Sequence, residues 1–159
     1  MKKFLCLICL LFLVGCSQKT NVTPVTRNIS FTAEMTYYNE YYEIAVDIDK
    51  SGNITASMQH PSELKGLIFT VQDGQITAEF DGIKISIDDS YKTAAISFIY
   101  SVFKNQRPEV YKNENRLFTK GDCDGGQFTM YISGAGLPLE IKDSANRFEI
   151  IIKNLKINN

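Results

Sequence analysis

Apolar and polar residues alternate with a period of two along most of the chain from Asn28 onward, the mark of half-buried strands. Ile29, Phe31, Ala33 and Met35 alternate with Ser30, Thr32, Glu34 and Thr36, and Tyr42, Ile44, Val46 and Ile48 with Glu43, Ala45 and Asp47. Turn residues Lys50-Ser51-Gly52-Asn53 then predict a third strand over Ile54 to Met58. His60-Pro61-Ser62-Glu63 interrupts the pattern, which resumes from Leu64 to Val71. Asp73-Gly74 and Asp81-Gly82 are tight hairpin signals on either side of Ile76 to Phe80, and Ile83, Ile85 and Ile87 follow. The period changes once. Asp88-Asp89-Ser90 offers capping and early negative charge ahead of Tyr91, Ala94, Ala95, Phe98, Ile99, Val102 and Phe103, which predicts one amphipathic helix from Asp89 to Lys104. Lys104 to Asn115, with Arg107-Pro108, ends it. Strands are then expected at Leu117 to Lys120, Gln127 to Ser133, Leu137 to Lys142 and Arg147 to Lys156.

The N-terminus follows another rule. Met1-Lys2-Lys3 precedes an unbroken apolar run from Phe4 to Val14. As a helix that run rises only ~16 Å, against a ~30 Å hydrocarbon core, so it predicts a secretory leader rather than a stable span. Leu13-Val14-Gly15-Cys16 ends the leader and resembles a bacterial lipobox. Residues 1–15 are thus expected to be a lipoprotein signal peptide. Cys16 would carry diacylglycerol and palmitate-type acyl chains, each buried methylene contributing ~0.8 kcal/mol. The expected location is the extracytoplasmic face of a cell membrane, held by the N-terminal lipid. Residues 16–27, polar and without periodicity, are expected to be a flexible tether, and 28–159 the folded domain.

The chain has 159 residues, 44% hydrophobic and 22% charged, with a net charge of −1 that becomes more negative once Lys2 and Lys3 leave with the leader. That balance excludes a basic field for nucleic acid. One histidine, no tryptophan and four cysteines, two of them in the leader, leave little for a catalytic or metal centre. Asp47-Ile48-Asp49-Lys50-Ser51-Gly52 imitates an EF-hand loop, but position twelve is Met58 where a bidentate glutamate is needed, so a hairpin turn is expected and no metal. Cys123 lies between Asp122 and Asp124, which disfavour its thiolate, and has no Cys-x-x-Cys partner. His60 precedes Pro61 in a loop with no Gly-x-Ser-x-Gly elbow in the chain. Neither an enzyme nor a cofactor is expected.

Pro61-Ser62-Glu63-Leu64-Lys65-Gly66-Leu67-Ile68-Phe69, Asp81-Gly82-Ile83, the single helix, Gly126-Gln127-Phe128, Gly136-Leu137-Pro138-Leu139-Glu140-Ile141 and Phe148-Glu149-Ile150 together resemble the LolA/LolB-like lipoprotein superfamily, closest to its small Gram-positive membrane-anchored members. The resemblance implies a mainly β (α+β) fold, a single curled antiparallel sheet forming an incomplete barrel, with one long helix on its concave face. It also implies a cavity for acyl chains. The strand pattern agrees, because one helix cannot cover the apolar face of some eight strands unless the sheet curls. Phe31, Met35, Ile44, Val46, Phe69, Phe80, Ile85, Phe128, Met130 and Ile150 are expected to point inward with Phe98 and Phe103 of the helix. Either they line a pocket for a lipid or other hydrophobic ligand, or they fill one another's space. A filled core leaves the alternative of a non-enzymatic interaction scaffold, an accessory factor for a cell-envelope enzyme such as a sporulation amidase, docked through a strand edge or the Tyr37-Tyr38 and Tyr41-Tyr42 surface.

Overall fold

The computed structural model describes residues 18–87, 95–104, 108–123, 126–145 and 147–158. Cys16 and the leader, the expected helix start at Asp88 to Ala94, and Asp124 lie outside the described residues. Within them the chain is mainly β: twelve strands form one antiparallel sheet in the order β1-β8-β9-β10-β11-β12-β2-β3-β4-β5-β6-β7. The strands are β1 Gln18–Thr20, β2 Ile29–Tyr37, β3 Glu40–Ile48, β4 Ile54–His60, β5 Ile68–Gln72, β6 Gln75–Phe80, β7 Ile83–Ile87, β8 Val110–Asn113, β9 Arg116–Cys123, β10 Gly126–Ile132, β11 Pro138–Asp143 and β12 Phe148–Ile157. The α-helix found among the described residues, α1, is Ala95–Phe103.

The meander expected from the hairpin signals is present. Asp73 and Asp81 have φ of 50° and 51° and their glycines 80° and 78°, so each pair supplies the two left-handed positions that a two-residue hairpin needs. At the β3–β4 turn the Asp49 carboxylate accepts from the Gly52 N–H at 2.6 Å, the Asn53 N–H at 2.9 Å and the Asn53 side-chain amide at 2.8 Å. Those bonds hold its ionised form below the ordinary value of 3.8, against the opposing effect of burial. The hairpin expected here is present and supplies three donors to this carboxylate.

Curvature follows from what α1 touches. Seven strand spacings separate β9 from β5 in the order, ~34 Å in a flat sheet. One helix meets both, and a helix is only ~10–12 Å across, so the sheet curls and stays open between β1 and β7. On the inner face Phe98 stacks on Phe148 with ring centroids 4.5 Å apart, and Phe103 meets Phe31 at 5.8 Å. Arg27 fixes the C-terminal end of the helix, its guanidinium donating to the carbonyls of Phe103 at 2.7 Å and Lys104 at 3.0 Å. It lies flat on Gly52, where an added Cβ would come within 2.2 Å of the guanidinium carbon. Arg27→Ala is expected to lower stability by ~1.5–3 kcal/mol, the range for hydrogen bonds to a charged group; urea melts check it.

Two expectations are corrected. The described part of the stretch read as a tether is joined to the sheet: Gln18–Thr20 pairs with Val110–Lys112, Pro24 and Thr26 are buried, and the Val25 N–H donates to the Gly136 carbonyl at 2.9 Å. Gly136 takes φ 79° there, and a Cβ would strike the Thr23 carbonyl oxygen at 2.2 Å. The second concerns Lys104 to Asn115, expected as a connection, where Val110–Asn113 forms β8. Both segments are short, β1 at the edge of the sheet and β8 between β1 and β9, and no apolar alternation announces them.

Candidate functional site

Direct cross-strand partners share a face, so the register traces the inner surface strand by strand. Phe31 faces Val46, Ala33 faces Ile44, Met35 lies beside Ile150, and Ile141 joins Ile150 to Met130. Phe31, Met35, Ile44, Val46, Phe128, Met130 and Ile150 are buried on this face, as are Phe98 and Phe103 of α1. They belong to one continuous cluster of apolar side chains. These residues, expected to point inward, do so, and next to the helix they pack against one another.

The same face continues differently on β5, β6 and β7. Ala56 pairs with Phe69, Phe69 with Ala78, Ala78 with Ile85, and Phe80 with Ile83. Every one of these side chains therefore lies on the inner side, but cover fades along the row. Val71 is fully buried, Phe69 half-buried, Phe80 45% exposed, Ile85 57% and Ile83 70%. Tyr100 of α1 reaches the Gly74 turn, with its hydroxyl 3.8 Å from where a Cβ would stand. Cover is thus given to the Gln72–Gln75 end of the arm and withheld from the Phe80–Ile83 end. Phe80 and Ile85, expected inside a cavity, are on the expected face but open. Ile83, missed as a site residue, has the same alternation as Ile85; its position in the turn-proximal pair with Phe80 is what exposes it.

A wide groove of about 590 Å³ lies on the opposite, outer face. Ser30, Thr32, Asp47, Thr55, Ser57 and Asn154 line it where β12 shifts register between Lys153 and Lys156. Its polar groups already serve one another, Asn154 donating to Thr32 at 3.0 Å and Asn158 to Asp47 at 3.1 Å. The arm on the other face, not this groove, is where apolar surface is left uncovered.

Of the tyrosines considered for docking, Tyr38 and Tyr41 are exposed, whereas Tyr42 is half-buried and Tyr37 stacks on Phe148 at 4.5 Å. Tyr41 donates to Glu43 at 2.8 Å, and that bond pushes its hydroxyl up to about 12. His60 ends β4, exposed, with its ring 5.5 Å from that of Tyr41. Cys123 is a half-buried thiol at the end of β9. Among the described residues no group of three or more His, Cys, Asp or Glu side chains is placed to hold a metal ion, and no helix is long and apolar enough to cross a membrane.

No family model matches the chain, and no curated protein matches it in sequence. Among solved structures it is similar to a domain assigned to outer membrane lipoprotein sorting, from Vibrio parahaemolyticus, at 11% identity and a TM-score of 0.40 over 83% of this chain and 86% of that one.

Proposed function

We propose that this chain is a non-enzymatic lipoprotein of the LolA/LolB-like half-barrel type, anchored through Cys16 on the extracytoplasmic face of a membrane, and that it takes a lipid acyl chain or similar hydrophobic ligand on the inner face of β5–β7. The observation that carries the reading is the exposure of Phe80, Ile83 and Ile85 on an otherwise buried apolar face. Covering what these three leave open contributes ~3–5 kcal/mol, taking ~1.5–3 kcal/mol for each fully buried side chain. The anchor reading is supported by the basic start, the short apolar run and the Leu-Val-Gly-Cys ending.

The test is native mass spectrometry of the purified protein mixed with extracted bacterial lipid. Wild type is expected to retain lipid and Ile83→Asp/Ile85→Asp to lose it, with stability falling by ~1–2 kcal/mol, the strand-propensity cost of two such changes at open sites. Retention by the double variant would end the proposal. Absence of lipid on wild type would favour the second reading, a scaffold for an envelope enzyme. One observation supports that alternative: β7 closes the strand order and, among the described residues, no strand pairs with its outer side.

A further inference from the structure

We infer that the outer face of the β1–β8–β9–β10 end of the sheet docks on an anionic phospholipid surface, a step that rests on the anchor at Cys16 proposed above. The register sets Lys19, Tyr111, Phe118 and Tyr131 side by side across the four strands. Their parity is opposite to that of buried Val110, Thr119 and Met130, so they face outward. The three rings form a half-exposed stripe, with centroids 5.9 Å and 6.3 Å apart. Cations sit over it: the Arg116 guanidinium is 3.6 Å from the centre of the Tyr131 ring and the Lys120 ammonium 5.6 Å from that of Phe118. Arg116, Phe118, Lys120 and Tyr131 also border a depression of about 300 Å³, a space of headgroup size. Three carboxylates lie near: Glu140 is bridged by Arg116 at 2.6 Å and Lys142 at 2.7 Å, Glu109 is bonded by Lys19 and by the Tyr111 hydroxyl at 2.8 Å, and Glu114 borders the depression beside Arg116.

Aromatic rings that present an apolar body and a polar rim, flanked by long basic side chains, suit the boundary between headgroups and acyl chains. The chain's course selects a membrane over other occupants. Strand β1 begins at Gln18 opposite Lys112, one pair from the Asn113–Arg116 hairpin. Cys16 is two residues before it, a reach of at most ~7 Å. With the expected long tether replaced by so short a link, a lipid on Cys16 holds this edge, and the basic aromatic face beside it, against the bilayer.

The test uses the acylated full-length protein reconstituted into vesicles of phosphatidylglycerol and phosphatidylcholine. The chain has no tryptophan, so Phe118→Trp supplies a lone indole at the centre of the stripe. Its emission is expected to shift to the blue and to be quenched by lipids brominated high in the acyl chain. Both effects should be lost in the added Arg116→Glu/Lys120→Glu background and in 1 M salt, where the Debye length is ~3 Å, while the acyl anchor keeps the protein floating with the vesicles. Circular dichroism of the variants checks the strand signal. Floating protein whose indole is unquenched in wild-type background overturns the docking face alone. A blue shift that depends on protein concentration without vesicles assigns the face to a second copy and equally overturns it. Protein that does not float overturns the anchor, and this inference with it.

Discussion

Truncating Phe103 to alanine is expected to destabilise the domain by ~3–5 kcal/mol, the range for aromatic deletions from packed cores. Phe103 is completely buried at the end of α1 and lies against Phe31. Arg27 holds the carbonyl of that same residue, so the backbone cannot readily collapse into the space left behind. Phe98→Ala should behave similarly, since its ring is sandwiched onto Phe148 with only 7° between the planes. Urea melts with and without extracted lipid separate the two accounts of the interior. In a filled centre the loss is large and lipid does not restore it. A small loss, or recovery with lipid, would place the ligand beneath the helix instead of on the arm.

Asp143→Ala is expected to cost ~3 kcal/mol, because it leaves two buried backbone donors without their acceptor and removes the carboxylate that pairs with Arg147. The Asp143 carboxylate is buried; it accepts from the Arg147 N–H at 2.6 Å, the Phe148 N–H at 2.9 Å and the Arg147 Nε at 2.8 Å. Burial pushes this acid up, but the Phe148 N–H and then the Arg147 contacts outweigh it and hold the group below its ordinary 3.8. A depressed folded value means that the stabilisation is complete above the unfolded pKa of ~3.9 and disappears as pH falls through the folded one. The difference in stability between wild type and Asp143→Ala should therefore be constant from neutral pH to ~5 and shrink below ~4. Urea melts across that range read it directly; a difference that grows on acidification would refute the assignment.

Strand positions were legible wherever burial on one face imposed alternation, as in β2, β3, β6 and β7, and wherever Asp-Gly pairs fixed the hairpins. β1 and β8 were not. Gln18-Lys19-Thr20 contains no apolar residue, and β1 exists because the β8 edge offers hydrogen bonds. The inner-face parity was equally legible, which is why Phe80 and Ile85 were assigned to the correct side. Their exposure was not, because alternation reports which way a side chain points and carries no information on how far a helix from another part of the chain extends over it. Ile83 escaped for the same reason, and its large exposure makes it the most informative residue of the arm. Arg27 was hidden too: nothing in Thr26-Arg27-Asn28 signals that its partners are carbonyls some 76 and 77 residues away.

Isoleucine methyl groups are spread over both parts of the inner face, which makes their NMR spectrum the most direct test of where an apolar ligand goes. Protein labelled at the isoleucine δ1 methyls would be titrated with lysophosphatidylglycerol. Shifts are expected at Ile83, Ile85 and the half-buried Ile87 of the open arm, while Ile29, Ile48 and Ile141, each fully buried, stay in place. Shifts led by Ile141 and Ile48 would locate the ligand in the centre that the helix covers and contradict the account, as would a titration that moves no isoleucine at all.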